Sequence, residues 1–179
     1  MTGMLDDRRD LVAAVRGDGA LVPAVREALA AVTPGLAPAC CIVPRVPAPA
    51  PLADLDDERL DRDVGDVLVA VLAEVQRAAG AFSGGGRLVV VLPHAPLLGI
   101  PGGVAASAVT NGVLSMARTL AIELARDGVT VNVLAVDAAA PSIRALTAGL
   151  EALLGDAGAD VTGQEVYLTA GTDLGRLRP

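Results

Sequence analysis

Two apolar runs, Arg87-Leu-Val-Val-Val-Leu92 and Val129-Thr-Val-Asn-Val-Leu-Ala-Val136, constrain this chain more than any other feature. A strand with one face in water alternates apolar and polar residues. The first run does not alternate, so it belongs where both faces of a sheet are covered, the setting of a parallel sheet. Parallel neighbours need a crossover of a dozen or more residues, usually a helix. Gly103 to Arg126 supplies one, a long helix closed by Asp127-Gly128. Upstream, Asp54-Leu-Asp-Asp-Glu-Arg59 opens another, in which Leu60, Val64, Val67, Leu68, Val71, Leu72 and Val75 recur at spacings of three and four. Acidic residues at such a start suit the helix macrodipole. Ser83-Gly-Gly-Gly86 ends that helix. A short helical pattern at Ala20–Val32, a short buried strand at Ala39–Val43 and a Pro/Ala-rich connection from Pro44 to Pro51 precede it. A third helix, Ser142–Leu154, and a last strand, Glu165–Thr169, follow. Strands alternating with helices of crossover length predict a parallel α/β sheet with right-handed connections.

At 179 residues and 53% hydrophobic content the chain is long enough for one core and short for two domains, so one domain spanning 1–179 is expected. A net charge of -7 disfavours phosphate backbones and anionic membranes. With one Phe, one Tyr and no Trp, the aromatic platforms that stack bases are also missing. Nucleic acid is therefore excluded as an expected partner. The segment Met1–Asp10 is charged and lacks an apolar core, which argues against a signal peptide and for a cytoplasmic protein. Residues 88–117 carry no charged side chain, but Pro93, Pro96, Gly99, Pro101, Gly102 and Gly103 interrupt them, so they read as buried strand, loop and helix and not as a membrane span. Cys40 and Cys41 sit in an apolar run as small hydrophobes, and one histidine leaves no metal cluster.

Taken in order, Gly85-Gly-Arg-Leu-Val-Val-Val91, Gly99-Ile-Pro-Gly102, Thr119-Leu-Ala-Ile-Glu-Leu-Ala125, Asp127-Gly-Val-Thr-Val-Asn132 and Val161-Thr-Gly-Gln164 resemble the short-chain dehydrogenase/reductase family over about residues 36–175. Residues 1–35 match it poorly. The resemblance implies a Rossmann-like parallel sheet flanked by helices, and a tetrad of Asn, Ser, Tyr and Lys. Counting from Leu120-Ala121 puts the lysine position at Thr110 and the tyrosine position at Ala106. The serine position falls on Pro93, and the asparagine on or near Val67. None of the four is retained. All 14 basic residues are arginine, so no lysine is available to lower the pKa of any phenol, and the only tyrosine, Tyr167, lies elsewhere.

No catalytic, cofactor-binding or metal residue is thus expected. A family member opens with a strand and a glycine-rich turn at a helix N-terminus. Here no such strand is legible before Ala39, and Gly17-Asp-Gly19 is read as opening no Rossmann unit, so the first βαβ cofactor-binding unit is expected to be missing. The family's Asn-Asn-Ala-Gly is replaced by Pro44-Arg-Val-Pro47 and its later Pro-Gly by Val136-Asp137. The two long helices, 57–80 and 103–126, are the family's subunit-contact helices. Their retention implies a non-catalytic, truncated subunit assembling with a full-length active paralogue. That paralogue would bind NAD(P) and act on a hydroxyl/carbonyl pair, an acyl thioester being one candidate. Two alternatives stay open: unrelated chemistry in a reshaped cleft around His94 and Asp137, and a homo-oligomeric scaffold. On blander readings His94 is a loop residue, Asp66 and Asp137 are solvated or capping groups, Asp54–Asp63 is an exposed helix start and Tyr167 a packing residue.

Overall fold

A computed structural model describes residues 13–32 and 37–171. Five strands form one parallel sheet: β1 (Ala13–Arg16), β2 (Ala39–Ile42), β3 (Gly86–Pro93), β4 (Val129–Val136) and β5 (Glu165–Leu168). Their spatial order is their order in the chain. The helices are α1 (Val22–Ala30), α2 (Asp57–Leu60), α3 (Asp66–Ala81), α4 (His94–Leu98), α5 (Val104–Glu123) and α6 (Ile143–Leu154). The predicted helix from Asp54 onward is real but not uniform. Asp56 caps it, its Oδ1 accepting from the Arg59 N–H at 2.8 Å, and a π-helical turn at Asp61–Gly65 joins α2 to α3. Such widened turns are rare in helices.

The central strands β3 and β4 are paired along eight residues, so both faces of each need cover. Leu88, Val90 and Leu92 point with Val131 and Val133 into one core, against Val67, Val71 and Val75 of α3 and Val109, Val113 and Ala117 of α5. Val89 and Val91 point with Leu134 and Val136 into the other, against Val25 and Ala28 of α1 and Leu146, Leu150 and Leu153 of α6. The Thr147 hydroxyl donates to the Ala28 carbonyl at 3.3 Å, tying α6 to α1.

This placement overturns two expectations. A strand does precede Ala39: β1 pairs with β2, and β1–α1–β2 is a complete βαβ unit with Gly17-Asp18-Gly19 at its turn. Nor do all connections share one hand. In a sheet whose order follows the chain every crossover steps the same way, so the face on which its helix lies fixes its hand. Helices α3 and α5 lie on one face and α1 and α6 on the other, so two crossovers are of one hand and two of the opposite. Parallel crossovers are right-handed in about 98% of cases. The exception is a property of tertiary layering that strand and helix patterns do not carry.

Candidate functional site at the carboxyl ends of the strands

In open parallel sheets ligands bind outside the carboxyl ends of the strands. Beyond the ends of β2, β3 and β4 lies a cavity of about 510 Å³. It is lined by Pro93, His94, Ala106 and Asp137, and by Pro44, Val46, Pro47 and Pro49 of the connection that follows β2. That connection is held at both ends: the Val43 N–H donates to the Arg16 carbonyl at 2.9 Å, and the Ala50 N–H to the Gly102 carbonyl at 2.8 Å. Gly102 has φ +70, and a Cβ there would crowd the Ala50 oxygen at 3.1 Å, so glycine is needed at this junction.

His94 is no loop residue. It opens α4 and is 5% exposed, with Nδ1 3.1 Å from the Val136 carbonyl oxygen. A carbonyl only accepts, so Nδ1 carries the proton of this bond. Asp137 also lines the cavity, while its Oδ1 accepts from the Ala139 N–H at 3.0 Å, the capping role of the blander reading. Asp66 belongs elsewhere. It lines a second cavity with Gly17, Asp18, Arg45, Val67 and Glu74. Tyr167 lies on β5, where its hydroxyl donates to Glu165 at 2.6 Å and Glu165 pairs with Arg118 at 3.0 Å. Burial and then that carboxylate push its phenol well above the ordinary range, so it stays protonated.

A group the motif reading passed over is Asn132, 1% exposed. Its Nδ2 donates to the Val161 carbonyl at 2.7 Å and its Oδ1 accepts from the Gln164 N–H at 3.0 Å. One side chain thus binds the segment Val161-Thr-Gly-Gln164 to β4. The paired signal was present as two motifs, but nothing in either says that they meet.

No protein-family model matches the chain, and no curated protein matches it by sequence. Solved structures do match. Sorbitol-6-phosphate 2-dehydrogenase from Erwinia amylovora superposes with a TM-score of 0.64 at 16% identity, over 74% of this chain and 67% of that one. Acetoin dehydrogenase from Enterobacter cloacae gives 0.61 at 17%, over 75% and 64%. A short chain dehydrogenase from Mycobacterium smegmatis gives 0.60 at 22%, over 74% and 59%. The fold is that of the short-chain dehydrogenases. This chain spans about three fifths to two thirds of the length of these three structures.

Of the positions counted from the sequence, Ala106, the one counted as the tyrosine position, lines the cavity with a methyl group. Thr110, at the lysine position, is fully buried, and its hydroxyl donates back to the Ala106 carbonyl at 2.9 Å. It cannot reach a ligand. Pro93 ends β3 at the serine position, and Val67 is a core residue. Among the described residues lining the cavity, only His94 and Asp137 can transfer a proton.

The nicotinamide dinucleotide that this fold implies does not fit the described residues. Dinucleotides lie across the crevice where strand order reverses, and in β1 to β5 it never reverses. A glycine-rich turn serves a pyrophosphate by leaving room and free N–H groups. Here a Cβ on Gly17 would strike the Val43 carbonyl oxygen and one on Gly19 the Pro44 carbonyl oxygen. The Gly19 N–H already donates to Val43 at 3.1 Å. The chain's own backbone fills the cradle. No described cluster of three or more His, Cys, Asp or Glu residues suits a metal ion, and no described helix is long and apolar enough to cross a membrane.

Proposed function

We propose that this chain is a non-catalytic subunit with the short-chain dehydrogenase fold, assembling through α3 and α5 with a full-length NAD(P)-dependent dehydrogenase of the same fold. The active subunit binds the nucleotide and acts on a hydroxyl/carbonyl pair, and this chain completes the assembly. One observation carries the reading. On the outer faces of α3 and α5, Val69 is 68% exposed, Leu72 42% and Ile122 78%, and a shallow groove beside them is lined by Leu72, Met116 and Leu120. Helices that had lost their partner through drift would not be expected to keep large apolar side chains one turn apart in water. The cleft of the same chain meanwhile has alanine and a back-bonded threonine where proton transfer would need phenol and ammonium.

Co-expression with a full-length dehydrogenase encoded beside it, followed by size-exclusion chromatography, tests this. Co-elution is expected for the wild type, and separate elution for Ile122→Asp with an unchanged circular dichroism spectrum. Exclusively separate peaks for the wild type would sink the reading. A stable homodimer dissolved by Ile122→Asp would transfer the same face to self-assembly.

A further inference from the structure

Five proline rings, Pro44, Pro47, Pro49, Pro93 and Pro96, line the cavity at the carboxyl ends of the strands, with Ala106 on α5. Proline fixes its own φ, and the Pro44–Ala50 connection is hydrogen-bonded to the body at Val43, just before it, and at Ala50. The walls are therefore set before anything binds, which keeps the entropy cost of ordering them small. A volume of about 510 Å³ lies within the range of small-molecule sites, about 300–1,000 Å³, and such sites are mostly apolar with a few placed polar groups. Here those groups are His94 and Asp137. Among the described residues of the lining, Asp137 is the one charged side chain, and no arginine shares it.

We propose that this cavity binds a neutral, largely hydrocarbon small molecule of two or three rings, and holds it without reaction. An anion would bring a second negative charge beside the Asp137 carboxylate, in a described wall that offers no cation. A phosphorylated or carboxylate ligand is thereby disfavoured. A neutral ring meets no like-charge repulsion at Asp137, and its contact with the proline faces offsets the partial desolvation of that carboxylate. Chemistry is not part of the proposal, because the acid/base positions of the fold are Ala106 and Thr110. The proposal does not depend on the subunit's assembly.

Two dyes with the same aryl core separate these terms: uncharged N-phenyl-1-naphthylamine and its sulfonated relative 1-anilinonaphthalene-8-sulfonate. Titrated against the purified full chain, the neutral dye is expected to show saturable fluorescence enhancement at one site, with the sulfonate at least tenfold weaker. Asp137→Asn keeps an acceptor for the Ala139 N–H and is expected to narrow that gap at least threefold, leaving the neutral dye unchanged. Ala106→Leu, which fills the cavity, is expected to weaken the neutral dye at least tenfold. Absence of saturable binding by the neutral dye, equal binding of the two dyes, or a gap unaltered in Asp137→Asn overturns the proposal. The asparagine variant keeps the test decisive if Ala106→Leu fails to fold. Dye binding and co-elution are separate readouts, so failure of one is not failure of the other.

Discussion

Gly19 separates two explanations for the glycines in the β1–α1 turn. If they are kept for a pyrophosphate, replacing Gly19 by alanine harms nucleotide binding and leaves stability alone. If they are kept because the turn packs on the end of β2, the fold itself suffers. The geometry favours the second. A Cβ on Gly19 would strike the Pro44 carbonyl oxygen, and would lie 2.8 Å from the carbonyl carbon and 2.9 Å from the Val43 oxygen. These are backbone atoms, so no side chain can rotate away. Two terms follow: forcing a methyl group into a filled space costs about 1–3 kcal/mol, and stretching the Gly19 N–H bond to Val43 costs about 1 kcal/mol. Together they give about 2–4 kcal/mol. For a chain of this length that lowers the melting temperature by on the order of 10 °C. Gly80, in α3, is the control: a Cβ there meets nothing within 4 Å. Alanine at Gly80 is expected to stabilise by about 0.5–1 kcal/mol through helix propensity. Urea unfolding of the two variants beside the wild type measures both signs at once. A Gly19→Ala midpoint within about 0.5 kcal/mol of the wild type at equal slope would refute the packing argument.

The cysteines and Glu74 give further tests. Burial pushes the Cys40 thiol up to about 11 against the opposing pull of Arg16, and burial and then Cys40 push Cys41 higher still. Neither thiol is expected to react with a disulfide reagent in the native protein at pH 8, and both should react once denatured; rapid native labelling would contradict the packing of β2. These groups are harder to ionise folded than unfolded, so stability is fully present below about pH 8.5 and falls as pH rises from there toward 11. Urea midpoints across that window check the sign. Glu74 is the opposite case: its hydrogen bond from Arg77, with Arg16 adding to it, holds its carboxyl below the usual range. That stability is present above about pH 4.3 and is lost as pH falls through the folded value. Glu74→Gln should therefore cost about 0.2–1 kcal/mol at pH 7 and nothing measurable by about pH 2.5. A pH-independent difference would show that the ion pairs are not its source.

What the residues disclosed depended on how much of each element's stability is local. The strands β3 and β4 were legible because full burial on two faces leaves an unmistakable apolar run, the helix through α2 and α3 because seven apolar residues from Leu60 to Val75 keep a helical period, and α5 because Asp127-Gly128 closes it. Two of the counted positions, Ala106 and Thr110, share α5 with the Leu120-Ala121 motif from which they are counted. Strand β1 escaped because Ala13-Ala14-Val15-Arg16 has a single β-branched residue and is an edge of four. It is a strand by virtue of pairing with β2, and that pairing is a tertiary fact. The Gly17-Asp18-Gly19 turn then looked contextless, although Gly17 does need its glycine, with φ +98. The buried state of His94 was equally hidden: its carbonyl partner, Val136, stands 42 residues away. The same distinction bears on function. Residue types at counted positions are local, and Ala106, Thr110 and Pro93 can be read from the sequence directly. Whether the β1–α1 turn has room for a pyrophosphate is not local, since Gly17 and Gly19 are present. What closes the cradle is the backbone at Val43 and Pro44, brought against the turn because β2 pairs directly with β1. A βαβ unit can thus keep the glycines of a nucleotide turn while turning them to internal packing, and glycine spacing alone does not distinguish the two uses.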